Sequence, residues 1–582
     1  MRRILVFSLT VALLLTITSL VGAAGTSNLV NTGSPVSPFS QNKQNEPAVA
    51  IDANHTNVLA AGANDNIDME ACNAGDDTTC PFTSGVGVSG VYFSFDSGNH
   101  WTQPIYDGLS ARTCQGIVGA TDPDCTPTVG QIGTLPWYYE AGLVSDGDPA
   151  VAFGPKPDVN GTFAWANGSR LYYANLTSNV SAVRSEAGFK GFEAIAVSRT
   201  DNAAVAAGGG AAGKAAWMPP VIVAKQSSTT FSDKEQIWAD NASSSRFFGN
   251  VYVCWAAFRG QELSPNAAPA PLQVAVSHDG GNTWTKQQIG AAANNRNRNP
   301  MDGCTVRTDS TGNAYLYGIG RQGADAFEIQ SISSDGGKSW SKPRPVVGPV
   351  TQPGLFDPNT GRTSIDGIAG ARSDLAPAPS VDIANGAPTG ADATNRIVMS
   401  YVSGEITKPH VYFAESTDRG ATWSTPRAIE GAIDRGYYAA PSIAPNGTTA
   451  YVVYNAFTTP YRPTTATPRS LVGVFMQASV PGTGPTGAFS EVHRGASGDP
   501  RGSSQNNLVA EFLGDYVYAA ATRTYGVAVW NDTRAAADCP AIDAWRQALN
   551  DGDTTVARPA PQQSCAAPNF GNSDIFSYTT AP

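Results

Sequence analysis

The octet SHDGGNTW, residues 277–284, returns as SSDGGKSW at 333–340 and as STDRGATW at 416–423, with a looser copy, SFDSGNHW, at 94–101. Each copy has Ser, then Asp two residues on, Gly two after that, and Trp seven residues from the Ser. In a hairpin turn each of these positions has a local structural role. Ser and Asp side chains bond the turn's own backbone. Gly takes the positive φ that other residues resist, and Trp buries a large ring beneath the turn. The competing reading makes Asp96, Asp279, Asp335 and Asp418 catalytic acids or metal ligands. Copies on the rims of separate units cannot converge on one substrate, so the octet reads as scaffold.

Working outward, a second phrase recurs between the octets, a short strand that opens on Pro or an acidic residue. It reads NEPAVAID (45–52), GDPAVAF (147–153), DKEQIWAD (233–240), MDGCTVRTD (301–309), PSVDIA (379–384), PSIAPNG (441–447) and FLGDYVYAAA (512–521). Each is followed by further β-rich runs, so the unit is three strands, the octet and a return strand. Four-stranded units repeated around an axis are the sequence form of a β-propeller. Seven opening phrases predict seven blades, or six if one phrase is not a blade of its own. The second unit carries a decayed octet at VSRTDN and an insertion running to Trp217. The last closes at DIFSYTT (574–580) after an insertion at about 535–571, which holds a predicted short helix, AIDAWRQALND.

Bulk composition agrees with an all-β chain. Of 582 residues, 60 are Gly and 40 Pro, and charged residues make up 15%, against roughly 25% in an average globular protein. Arg2 and Arg3 precede an apolar run from Ile4 to Val21, and small residues at Ala23 and Ala24 suit a signal peptidase. The expected organisation is a signal peptide over 1–24, a Ser-, Asn- and Gly-rich leader over 25–44, and one propeller over 45–582. That predicts a secreted, soluble, monomeric protein. Eight cysteines behind a signal peptide read as disulfides, paired most simply as Cys72–Cys80, Cys114–Cys125, Cys254–Cys304 and Cys539–Cys565. The net charge of −11 argues against nucleic acid, whose phosphates reward Lys and Arg, and against an anionic membrane surface.

The octet S-x-D-x-G-x-x-W is the Asp-box, or bacterial neuraminidase repeat, and the order of strands around it resembles sialidase-type propellers. Three copies are close matches, and the first departs only in His100, where Thr is usual. The resemblance runs in repeat order over roughly residues 45–580. It implies a secreted glycoside hydrolase whose enzymes use three arginines for the substrate carboxylate, a Tyr nucleophile assisted by Glu, and an Asp acid/base. Arg binds carboxylate bidentately and stays charged. The first of those arginines belongs in an R-I-P phrase opening the first blade, a place filled here by Asn45-Glu46-Pro47. The resemblance also implies six blades, so a true seventh counts against sialidase activity.

Arg372, seven residues before Pro379, and Arg435, six before Pro441, open successive blades in similar register and are the candidates for an acidic sugar. Arg307 and Arg321 fall on blade four. The opening phrases place Glu46, Asp148, Asp233, Glu235, Asp302 and Asp515 at the starts of innermost strands, which crowd one end of a propeller's channel. Such carboxylates raise one another's pKa values, as acid/base catalysis needs. They equally suit Ca2+, a hard cation that takes oxygen ligands, or plain turn caps paired with Lys234 and nearby Arg. Tyr516, after Asp515, and Tyr437 and Tyr438, after Arg435, are candidate nucleophiles or sugar-stacking rings. Only five His occur. Without H-E-x-x-H, G-x-S-x-G, P-loop or dinucleotide fingerprints, zinc proteases, α/β-hydrolases and nucleotide enzymes are set aside. Two functions remain, both acting on extracellular glycan or glycoprotein. One is sialidase-like hydrolysis with no required cofactor. The other is a non-catalytic propeller that binds glycan or protein, with Ca2+ as an option.

Overall fold

A computed structural model describes residues 26–33, 44–69, 85–114, 126–180, 194–225, 230–259, 270–290, 302–357, 362–365, 368, 371–502, 513–557, 559 and 572–581. The signal segment at 1–24 and cysteines 72, 80, 125 and 565 lie outside them.

The chain forms a seven-bladed β-propeller, every blade an antiparallel sheet. The innermost strands are Gln44–Ile51, Leu143–Pro155, Thr230–Ala239, Asp302–Thr308, Ser380–Ile383, Arg435–Ile443 and Tyr518–Ala521. Each packs beside the next, and the last returns to the first. Blades two to six run in chain order from axis to rim. Blade one pairs three strands and adds a bridge from Phe93 to Thr102. Blade seven is closed by the N-terminal strand Asn28–Leu29, which pairs with Phe576 and Ser577. That strand lies within the stretch expected as a leader. Asn31 fastens it, donating to Asp574 Oδ1 (2.9 Å) and accepting from Ile575 N (2.8 Å).

The core lies between blades. One buried cluster joins Tyr172, Val197, Val253 and Trp255 of blades two and three, and another joins Tyr315, Tyr317, Met399 and Ala414 of blades four and five. A strand packed on both faces has no water side, so TAYVVYNAF (449–457) is buried nearly throughout and reads as a continuous apolar run. Cys254 and Cys304 form a disulfide that ties blade three to blade four across 50 residues, a constraint of about 4 kcal/mol on the unfolded chain. Cys114 and Cys539 are also disulfide-bonded. The helix in the late insertion spans Pro540–Asn550.

The four octets share one geometry. Ser94, Ser277, Ser333 and Ser416 each donate to the following Asp and accept from the Gly N–H at 2.8–2.9 Å. The Asp then accepts from the backbone four residues on. The last Gly of each turn has φ between +79° and +87°. It also presses on the preceding blade, where a Cβ at Gly281 would meet Arg199 and Tyr172 and one at Gly420 would meet Gln330. Trp340 and Trp423 pack edge-on against Tyr252 and Tyr317 of the preceding blade. The octets therefore weld neighbouring blades at the rim, far from the axis. In blade two the helices Ala203–Ala207 and Gly210–Ala215 take the octet's place, and Trp217 is buried after them.

Candidate functional site

The site is built from one local irregularity repeated around the channel. In blades one to four the innermost strand slips register near its start, between Asn45 and Ala48, Gly147 and Ala150, Asp233 and Gln236, and Asp302 and Thr305. Each slip holds one left-handed residue: Glu46 (φ 55°), Asp148 (φ 52°), Lys234 (φ 63°) and Gly303 (φ 57°). A bulge of this kind re-aims a side chain. Here it brings Glu46, Asp148 and Lys234 together, and Asp515 joins them from the segment leading into blade seven. Lys234 Nζ stands 3.5 Å from Glu46 Oε1, 3.3 Å from Asp148 Oδ2, 3.5 Å from Asp233 Oδ1 and 2.8 Å from Asp515 Oδ2.

Arg372 supplies the second cation. Its backbone bridges Ser364, and its guanidinium clamps Asp515 through Nε (3.0 Å) and Nη2 (2.7 Å). The Tyr437 and Tyr438 hydroxyls both reach Arg372 O, and Tyr438 also lies 2.9 Å from Asp515 Oδ1. Asn64, on the second strand of blade one, holds Glu46 Oε2 (2.9 Å) and accepts from Asp148 N (2.6 Å). Asp515 N donates to Glu46 Oε1 at 3.0 Å.

Burial and charge sort the acids into two kinds. Burial, reinforced by the Asp148 charge, raises Glu46 well above the usual carboxyl range, and the same causes push Asp233 up to about 8 against the pull of Lys234. Burial also works to raise Asp148, but the Lys234 ammonium and carboxyl hydrogen bonds hold it down to about 2. Asp515 is likewise buried, and Arg372 and Lys234 hold it well below the usual range. Near neutral pH Asp233 thus keeps its proton, Glu46 is biased toward its protonated form, and the ionised Asp148 and Asp515 face two cations. Lys234 and Arg372 among the four acids leave no bare ion in a low dielectric.

The remaining sequence candidates sit apart from that knot. Asp302 is half-buried at the same channel end, accepts from Gly303 N at 2.8 Å, and is pushed by burial to about 6. Glu235 is fully buried with no donor on either carboxylate oxygen, and burial raises it strongly. Strand alternation turns it away from Lys234. Arg435 donates to Thr459 O at 2.8 Å and lies over Phe457. The Tyr516 hydroxyl is buried without a partner, its pKa raised by burial, and its ring lies 5.9 Å from Lys234 Nζ. Beside these groups is a narrow cavity of about 60 Å3, lined by Lys234, Gly303, Leu375, Tyr438, Asp515 and Tyr516. Among the described residues no group of three His, Cys, Asp or Glu is arranged to hold a metal, and an ammonium stands where the acids meet.

Sequence reasoning placed Lys234 only as a pairing partner, and it passed over Asn64. Aligning D-K-E (233–235) with N-E-P and G-D-P puts Lys234, rather than Asp233 or Glu235, in register with Glu46 and Asp148. That register was the available signal.

No protein-family model matches the chain, and no curated protein matches it. Among solved structures it is similar to the leech intramolecular trans-sialidase (12% identity, TM-score 0.39, covering 73% of this chain and 67% of that one). It is also similar to Trypanosoma rangeli sialidase (11%, 0.38, 78%), of which it spans 58%. The α-L-arabinofuranosidase of Fusarium graminearum is a third such structure (11%, 0.35, 76% and 94%). The propeller stands on this chain's own strand pairing, and the activities are those of the three neighbours.

Proposed function

We propose that the protein is a secreted, monomeric, Asp-box glycoside hydrolase whose reaction centre is the acidic end of the channel, and that it acts on neutral sugars of extracellular glycans. The observation that carries this is the gathering of carboxyls at one channel end, with Asp148 and Asp515 held ionised by Lys234 and Arg372 while burial pushes Asp302 up to about 6. Glycosidic cleavage needs a carboxylic acid to protonate the leaving oxygen and a carboxylate to assist from the other side. Asp302, half-buried and ordinarily protonated up to about pH 6, is the proton donor in this reading. Asp148 and Asp515 supply negative charge, and Lys234 and Arg372 hold them in place. Left-handed Glu46, Asp148 and Lys234 add support, because backbone strain of this kind gathers at functional sites.

Sialic acid fits poorly. A Glu stands where the first carboxylate-binding Arg belongs, Arg372 is already clamped on Asp515, and the propeller has a seventh blade. Ca2+ is not needed, since Lys234 already neutralises the acids. A second reading, a non-catalytic glycan- or protein-binding propeller, is favoured by the closure of that ion network on itself.

The test is hydrolysis of a panel of fluorogenic glycosides, including a sialoside, from pH 4 to 8. Turnover of a neutral glycoside that falls at least about 100-fold in Asp302→Asn supports the hydrolase, that being the usual contribution of a general acid. Release from the sialoside alone overturns the neutral-sugar reading, and release from none leaves the binding propeller.

A further inference from the structure

The opposite end of the channel, on the side of the octet loops, holds a second cavity of about 300 Å3. Volumes of that order are typical of small-molecule sites. All seven blades line it. Its floor is the loop after Ile383, which crosses the channel: Asn385 donates to Asn241 at 2.8 Å, Gly386 N reaches Pro445 O, and Arg523 grips Gly386 O, Ala387 O and Asp392. The cavity opens between the loops of blades one and seven, where the lining residues Thr56 and Thr524 are exposed.

Two polar groups face each other inside it. Arg307 is only 7% exposed, and its Nε has no hydrogen-bond partner. Asp382 Oδ2 is held by Ser442 Oγ (3.0 Å) and Ile443 N (2.9 Å), which leaves Oδ1 at 3.6 Å from Arg307 Nε. That separation is too long for a hydrogen bond. The buried Arg307 Nε thus has only a long ion pair with the partly exposed Asp382 carboxylate, and a buried donor left without a hydrogen bond is costly unless a third group joins the two.

We propose that this chamber binds a neutral polyol of monosaccharide size. A hydroxyl accepts one hydrogen bond and donates another, so a single sugar hydroxyl bridges Arg307 Nε and Asp382 Oδ1. An anion would be repelled by Asp382 and a cation by Arg307. The Trp238 ring, 4.6 Å below the guanidinium, and Phe153 and Ile383 on the walls offer apolar surface to the ring carbons. The site is independent of the acidic end and stands whether or not that end hydrolyses anything.

Calorimetric titration of the mature protein with D-galactose, D-glucose, L-arabinose and myo-inositol tests this, with N-acetylneuraminic acid and glucosamine as charged controls. The expected result is saturable one-to-one binding of at least one neutral probe, with Kd about 1 mM or tighter. Affinity should fall about tenfold in Asp382→Asn and in Arg307→Lys, one charge-assisted hydrogen bond each, and hold in Arg372→Ala. Circular dichroism confirms folding, and Asp382→Asn keeps the shape should Arg307→Lys not fold. No saturation by any neutral probe overturns the proposal, as does preference for a charged one. Loss of binding in Arg372→Ala with retention in Asp382→Asn also overturns it, since the sugar would then sit at the acidic end.

Discussion

Replacing Lys234 by Met removes the ammonium that stands 2.8–3.5 Å from four carboxyl groups while keeping an unbranched side chain of similar length. Breaking a buried ion pair from one side costs about 3–5 kcal/mol, because the other charge is left uncompensated. The loss should depend on pH, and its sign follows from the acids. In the native protein Asp148 is held at about 2, below its unfolded value of about 3.9. It therefore contributes stability above pH 4 that is lost as pH falls toward 2. Without Lys234, burial dominates and Asp148 rises above its unfolded value, so ionising it then opposes folding as pH rises. The deficit of Lys234→Met should be about 2 kcal/mol at pH 4 and grow to about 3–5 kcal/mol at pH 7. Urea denaturation at pH 4, 5.5 and 7, followed by tryptophan fluorescence, reads it directly. Adding Asp148→Asn should restore about 2 kcal/mol of the loss at pH 7, as expected for groups in contact. A deficit equal at all three pH values, or below about 1 kcal/mol at pH 7, would show that the cluster is not held by this charge.

At the rim, Gly420→Ala should cost about 1–3 kcal/mol, because φ is +79° and the new Cβ meets Gln330. Ser416→Ala should cost about 1 kcal/mol; both are read by thermal denaturation, and a change in glycoside turnover at saturating substrate in either variant would contradict a purely structural octet. At the closure, Asn31→Ala loses both bonds to the last blade and should cost about 1–3 kcal/mol, with faster amide exchange across Ile575–Ser577. Unchanged exchange there would mean that the N-terminal strand does not fasten the ring.

The octets were legible because their bonds close within eight residues, so Ser, Asp, Gly and Trp at fixed spacing carry the geometry with them. The blade count was legible for a related reason, since each opening phrase is a strand of its own and seven phrases make seven blades. The site was legible only as a composition, acids at the starts of innermost strands. A period of two on a strand means that a one-residue slip moves a side chain to the other face, and the bulge at Asp233–Gln236 is such a slip. It admits Lys234 to the knot of acids and turns Glu235 away. Arg372 meets Asp515 across 143 residues, and no local pattern announces that pairing.

By itself, then, the amino-acid order determines what is local and repeated: the strand periodicity, the turn chemistry of the octets, the number of blades and the end of the channel where acids gather. Only the closed ring decides which charges touch, which acids are pushed toward their protonated forms, how Asn28–Leu29 completes the last blade, and that Arg307 and Asp382 sit side by side on the wall of a chamber. The reason is physical. Hydrogen bonds within a turn are set by a few adjacent dihedral angles, whereas burial and Coulomb interaction depend on groups brought together from distant blades, and those distances exist only once the propeller has closed.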